Sequence, residues 1–501
     1  MEEKLQQLKE RLATIDDLRR AGAVLGWDQQ TYMPPGGVQA RADQISTLRR
    51  LAHEYQASAE MGRLLDDLKP YEAQLDYDSD EAALIRVARR DYERAVRVPA
   101  DLVAEIAKTT ALATQVWAKA RRENDFTSFE PLLSKVFELS VRRAECFVPY
   151  DNIYDPMIDL YEPDMTYEKV NAVFSGLKPE LVALVGAISV NQDAVDDSLI
   201  HQHWSQDGQL TFGREIVTAL GYDFERGRLD LVPHPFTIMF SADDVRITTR
   251  VDENHLASST MGTIHESGHA MYDQGVSPAL YRTGLDTGTS FAIHESQSRL
   301  YENIIGRSRE FWRCFYPRFQ KAVGKGLSKV DMETFYRALN ISQPSLIRVE
   351  ADEVTYGLHI ILRFELENDV VNGRVKVTDL PKEWNARMEA YLGITPPNDA
   401  DGVLQDVHWS FGYVGYFPTY LLGTVFSVQL WQQMLKDHPD IPAQVEAGKF
   451  ETVLGWLREK IHRHGRKFTM PELAERVVGG PLDWQPYIAY LRAKYGEIYG
   501  L

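Results

Sequence analysis

The chain of 501 residues has 55 Lys and Arg against 73 Asp and Glu, a formal net charge of −18, with 44% apolar and 26% charged residues. This balance fits a globular protein with a large core. It argues against nucleic acid and anionic membrane as partners, because phosphate backbones and headgroups select clustered Lys and Arg. The two cysteines, Cys146 and Cys314, form no CxxC or Cys/His cluster, so neither a disulfide framework nor a thiolate metal site is expected. The N-terminus, MEEKLQQLKERLATIDDLRR, is charged and amphipathic and lacks the apolar run of a secretory signal. No uninterrupted apolar stretch reaches the length of about 18 residues that would predict a membrane span. A cytoplasmic protein is the expectation.

In chain order, apolar positions at helical spacing predict helices over 1–25, 37–75, 80–95 and 100–123. Pro34-Pro35-Gly36-Gly37 separates the first two. The same pattern continues over 128–150, 167–190 and 211–220. The clearest strand signal is a β-hairpin: Phe236 to Phe240 and Val245 to Val251, with the turn Ser241-Ala242-Asp243-Asp244 between. Further helices are expected over 352–370, 380–393, 419–437 and 450–465, and loops over 340–346 and 394–402. No fixed-period repeat, low-complexity tract or Gly/Ser linker divides the chain. The expected fold class is mainly α: a single large helical body over 1–501, with two lobes as an alternative, and with a helical N-terminal part (1–200) and a second part (201–501) that carries the segment HESGH.

Residues 258–274, SSTMGTIHESGHAMYDQ, begin with N-cap residue types and read as a helix. His265 and His269 stand four apart, on one face, and can grip one Zn²⁺ at about 2.0–2.1 Å. Glu266 is turned about 100° around the axis. It misses the ion but reaches a water that the ion polarises, which is the place of a general base. Two histidines one turn apart also occur on ordinary helix surfaces. With 13 histidines in the chain, a chance HExxH has a probability of roughly a few per cent, so a third ligand is required. The downstream candidates are Asp286, Glu295 and Glu302. Residues 290–305, SFAIHESQSRLYENII, read as a second helix whose polar face begins at Glu295, the preferred ligand. Glu302 lies on the same face, as a support or a reserve ligand. Ala270, Met271 and Tyr272 follow His269, so no HExxHxxGxxH site is formed. His294 either bonds to substrate or supports the ligands, or is an ordinary interior histidine.

Several ordered segments carry a resemblance. They are Trp27-Asp28-Gln29 with Met33-Pro34, His234-Pro235-Phe236, Asp244-Val245-Arg246-Ile247-Thr248, HESGH at 265–269 and His294 to Arg299 (HESQSR). Ile347 to Asp352 (IRVEAD) and Gly402 to Trp409 (GVLQDVHW) complete the set. Together they resemble the carboxypeptidase Taq family of bacterial and archaeal metallocarboxypeptidases over essentially the whole chain. The resemblance implies a mostly helical fold with a deep groove, related in architecture to neurolysin and angiotensin-converting enzyme. Residues 1–200 would form a groove wall, with a small antiparallel β element near the active site. It implies homodimers that remove single residues from the free C-termini of peptides, with broad preference and poor action beside proline. It also implies His265, His269 and Glu295 as metal ligands, Glu266 as base, and zinc as the ion, with cobalt able to substitute. Four residues past Glu295 stands Arg299 rather than the carboxylate of the angiotensin-converting pattern, which leaves the partner of a ligand histidine open.

An exopeptidase needs a cation for the substrate's terminal carboxylate and donors for the tetrahedral oxyanion. Arg348 is the first choice of cation, because guanidinium binds carboxylate through two parallel bonds and the resemblance makes IRVEAD a substrate motif. The alternative is a structural salt bridge from Arg348 to Glu350 or Asp352. Arg246, on a hairpin able to pair with substrate backbone, is the second choice. His234 is expected at the substrate as well. His408 and Tyr420 are the expected oxyanion donors by similarity to related enzymes, with Tyr413 and Tyr416 as alternatives in an aromatic segment that also reads as core. Asp406 is expected to orient a ligand histidine. Two other readings compete: an oligopeptidase or dipeptidase without the carboxylate anchor, and a non-catalytic helical scaffold, against which the intact Glu266 argues.

Overall fold

The computed structural model describes residues 1–324 and 326–501. Amphipathic periodicity becomes helix from the start of the chain: α1 (Glu2–Thr31), α2 (Val38–Gln56), α3 (Ala59–Glu72) and α4 (Asp80–Arg97). The Pro34-to-Gly37 break holds as a short 3₁₀ turn at Pro35–Gly37. The single helix expected over 37–75 is two. The Ser58 hydroxyl accepts from the Met61 N–H, so the chain restarts there with its own cap instead of continuing. Leu5, Leu8, Leu12 and Ile15 of α1 share one core with Met61, Leu65 and Leu68 of α3 and Leu84, Ile85 and Ala88 of α4.

The chain forms two compact units. Unit 1 comprises Met1–Val96, Ser198–Leu339 and Leu430–Gly479; unit 2 comprises Arg97–Asp197, Asn340–Gln429 and Gly480–Leu501. Each unit draws on three separate stretches, so neither follows a division at residue 200. In unit 2, Tyr167–Val190 is long and apolar enough by composition to cross a membrane, a feature hidden from a search for uninterrupted apolar runs by Lys178 and Glu180. It packs on helices Tyr356–Val371 and Gln485–Tyr499, and buries Val170, Phe174, Leu177 and Leu181. The helix expected over 450–465 stops at Lys460, and a separate 3₁₀ turn follows at His462–His464.

Unit 1 holds the sheet. Strand β2 (Thr237–Ser241) and strand β3 (Asp244–Thr249) form the expected hairpin. A third strand, β1 (Leu229–Leu231), pairs with β3 in parallel, so the purely antiparallel element anticipated is a mixed sheet of order β1-β3-β2. Three residues are too few for any periodicity, which is why β1 left no signal.

Helix Leu256–Gln274 packs on β2 and β3 and against helix Phe291–Arg299. That second contact is made at Gly268, where a Cβ would stand 2.6 Å from the Ser298 Cα and 2.8 Å from the Gln297 carbonyl oxygen. Ser267, Ser296 and Ser298 are fully buried around it. Small residues let the two helices approach until side chains from both reach one point. Gly268→Ala should therefore push the helices apart, cost about 1–3 kcal/mol of stability and weaken metal binding, as measured by thermal unfolding and chelator competition. Unchanged values for both would show that the close crossing is not required.

Candidate metal centre and active site

The two helices deliver three donors to one place. His265, His269 and Glu295 each offer one atom, all within 4.8 Å of one another. Glu295 Oε2 lies 3.8 Å from His265 Nε2 and 3.7 Å from His269 Nε2. Four donors at about 2.1 Å around a tetrahedral ion stand about 3.4 Å apart, so modest contraction would close this set on a metal and leave a fourth position open. Charge agrees with geometry. Glu266, Glu295 and Glu302 bring three carboxylates and Arg299 one guanidinium, which leaves two negative charges for a divalent cation; Arg307, 3.9 Å from Glu302, offsets part of this from the periphery. Asp286, also considered as a ligand, is elsewhere: its carboxylate accepts from the Arg282 N–H and lies 3.8 Å from Arg20.

The structure answers the question left open at Arg299. The orienting carboxylate of His265 is Glu302, whose Oε2 is 2.8 Å from Nδ1. With Nε2 turned toward an ion, Nδ1 carries the proton and donates to Glu302. Arg299 bonds both carboxylates, with Nε on Glu295 Oε1 at 2.7 Å and Nη1 on Glu302 Oε2 at 3.1 Å. Burial works against the Glu302 charge, but Arg299 and His265 hold its pKa at about 2. The helix widens into a π-turn over Leu300–Ile305, the segment that carries Glu302.

His294 stands beside a ligand histidine. Its Nδ1 is 3.4 Å from His269 Nδ1, and its Nε2 is 3.3 Å from Asp273 Oδ1. The consistent proton arrangement runs outward: His269 Nδ1–H donates to His294, and His294 Nε2–H to Asp273. Of the two roles considered for His294, this geometry favours support of a ligand over contact with substrate. Asp273, one residue before the helix's last and 6% exposed, was missed in the sequence, although its i+4 spacing from His269 was available as a signal. Burial, with His265 and His294 as neighbours, keeps the His269 pKa well below the ordinary histidine value, so the ring is neutral and able to coordinate.

Glu266 is 8% exposed and accepts a 2.6 Å bond from the Thr237 hydroxyl of β2. The same hydroxyl is 2.9 Å from the Glu266 carbonyl oxygen. Burial raises the Glu266 pKa against the opposing pull of His265 and Thr237, which makes it a stronger proton acceptor than a solvated carboxylate. Arg246, on β3, is held by both oxygens of Asp244 at 2.8 Å and lies over Trp27 at 4.3 Å. His234 is exposed in the loop before β2.

Unit 2 contains a second polar cluster. Arg348, 6% exposed, donates to Asp406 at 2.7 and 3.1 Å and to the Tyr356 hydroxyl at 3.3 Å. Its ion-pair partner is thus Asp406, and neither Glu350 nor Asp352; Asp352 caps the turn at Val354 and Thr355. Asp406 does not serve a metal ligand, as had been expected, because its oxygens are taken by Arg348 and by the fully buried Arg363 at 2.7 Å. These two cations hold it ionised in spite of burial. His408 Nε2 and the Tyr420 hydroxyl are 3.2 Å apart, so the two residues paired in the sequence reading do meet. Burial keeps the His408 pKa down at about 3, so the ring is neutral. Tyr413 is exposed, and Tyr416 packs edge-on against Tyr161. Glu367 anchors the 409–415 loop by accepting from Trp409 Nε1 and the Gly415 N–H; burial lifts its pKa to about 7.

Removing the Glu302 carboxylate frees His265 to rotate. Glu302→Ala should weaken metal affinity about 10–100-fold while the helical circular dichroism is retained, and wild-type affinity in chelator titrations would rule out the orienting role.

The chain as a whole has close parallels among known proteins. The profile of the carboxypeptidase Taq (M32) metallopeptidases matches residues 7–495. Thermostable carboxypeptidase 1 of Thermus thermophilus is 39% identical over 492 residues, 96% of each chain. Carboxypeptidase 1 of Bacillus subtilis is 38% identical over 488 residues, 97% of each. The crystal structure of an M32 carboxypeptidase from Deinococcus radiodurans superposes with a TM-score of 0.96 at 41% identity, covering 99% of this chain and 100% of that one. Match, identity and superposition run the length of the chain and include the helices that carry His265, His269 and Glu295, and on these grounds the protein belongs to the carboxypeptidase Taq (M32) metallopeptidase family.

Proposed function

We propose that the protein removes single residues from the free C-termini of peptides, with broad side-chain preference and poor action beside proline. Zinc is the proposed ion, with cobalt able to replace it. The observation that carries the reading is the convergence of His265 Nε2, His269 Nε2 and Glu295 Oε2 next to the buried Glu266. A divalent ion held by these three residues supplies Lewis acidity for the scissile carbonyl and for a water. Glu266 takes the proton of the attacking water and passes it to the leaving amine. Thr237 fixes the carboxylate for both transfers. The Tyr420 hydroxyl and the neutral His408 are the proposed donors to the oxyanion.

Arg348 is the proposed anchor for the terminal carboxylate. Two guanidinium groups share the Asp406 carboxylate in its cluster, His408 is neutral, and Glu367, the other acid acting on Arg363, has its charge weakened by burial, which favours an added carboxylate. The commitment of Arg348 to Asp406 also favours a second reading: an oligopeptidase in which the arginine is structural. Homodimerisation and cytoplasmic residence belong to the same proposal, the first open to test by sedimentation.

Metal-loaded protein given a short peptide and its C-terminally amidated twin should shorten only the free acid, one residue at a time, and a chelator should stop it. Cleavage inside both peptides would establish the oligopeptidase instead. Glu266→Gln should keep its metal and lose about 10²–10⁴-fold in kcat. Loss of metal together with activity would make Glu266 structural.

A further inference from the structure

Unit 1 has a concave site away from the metal ligands, formed where α1, α2 and α4 meet the segment after the His462–His464 turn. Its cavity measures about 360 Å³ and its wall includes Arg19, Arg49, Arg94 and Arg466, with His53 and Asp91. Positions 49, 53 and 56 recur at helical spacing on α2, as do 91, 94 and 95 on α4, so each helix turns one face to the cavity. Four guanidinium groups therefore face one carboxylate in a chain whose net charge is −18. Acidic residues are in excess overall, yet among the residues of this wall Asp91 is the single one. Asp91 is bonded through both oxygens to Arg466, each at 2.9 Å. Burial opposes the Asp91 charge, but Arg466, Arg90 and Arg19 hold its pKa below the usual carboxylate range.

Arg19 donates to the amide oxygen of Gln56 at 3.5 Å. Desolvation in the concave wall lowers its pKa; Asp91 and Asp16 pull the other way, while Arg466 and Arg20 add to the decrease. A cavity lined by one sign of charge focuses its field and concentrates counter-ions. Guanidinium groups bind oxyanions through paired N–H bonds, so several of them around one cavity suit a ligand with several oxyanion groups. A volume of about 360 Å³ leaves room for a ligand with more than one phosphate group.

We propose that this pocket binds a small polyanion of the phosphate class, carrying at least two phosphate groups. The test uses the metal-loaded protein and pyrophosphate in calorimetric titration at fixed ionic strength, since screening would otherwise mask the comparison. Saturable 1:1 binding is expected, at least tenfold weaker in the double variant Arg19→Gln, Arg94→Gln. Arg49→Gln, at an exposed position, provides a second variant with the same expected direction should the double variant fold poorly. Arg50→Gln removes an equal charge from α2 at a residue that pairs with Glu54 and is not in the wall, and should leave affinity unchanged. Binding that survives the pocket substitutions would place pyrophosphate on the metal centre and overturn the proposal. Equal loss in Arg50→Gln would reduce it to diffuse attraction, equal affinity for citrate would overturn the phosphate class, and no saturable binding would end it.

Discussion

Three carboxylates buried side by side are the constraint on which unit 1 depends. Glu266, Glu295 and Glu302 would each be expensive to ionise in the interior alone. Arg299 makes the arrangement possible because it lies four residues after Glu295 and three before Glu302, within reach of both along the same helical face. It neutralises one charge and fixes two carboxylates, so Glu295 keeps Oε2 for a metal while Oε1 is held. The remaining negative charge is what makes a divalent ion a favourable occupant.

Packing turns this charge pattern into a site. Gly268 admits the backbone of the helix that carries Glu295, so residues from two helices can share one ion. On the other side, β2 supplies Thr237 to Glu266, and β2 is tied to α1 by the Arg20 bond to the Met239 carbonyl oxygen at 2.9 Å. These side chains thus sit on helices and a strand whose positions are set by buried contacts, the condition for holding a donor set within a fraction of an ångström.

Arginine is used in two different ways in the two units. In unit 2, Arg348 and Arg363 surround Asp406 in the interior, and the pair of cations holds the carboxylate ionised. In unit 1, the arginines of the α1–α2–α4 cavity face open volume, with Asp91 bound to only one of them through paired bonds. The net charge of −18 conceals both, because a sum over the chain describes solubility and long-range steering and is silent about local concentration of one sign.

Much of the candidate metal site was legible in the sequence, because its spacing is set within single helices. His265, Glu266 and His269 lie within five residues, and helical geometry alone assigns their directions. The mostly helical fold and the β2–β3 hairpin followed from periodicity and turn chemistry in the same local way. Contacts between distant segments were not legible. Glu302 and His294 were already offered as supports, but that Glu302 serves His265, that His294 serves His269 and that Asp406 pairs with Arg348 depend on how helices cross and on which of several nearby acids reaches a given cation. Strand β1 exists because β3 offers an edge, and three residues carry no periodicity of their own. The arginine cavity joins residues 19, 49, 94 and 466, which share no local pattern. The sequence by itself determined which side chains share a helical face and the chemistry that they carry. Tertiary structure decided which faces meet, because burial energy and charge pairing are summed over contacts that chain order does not encode.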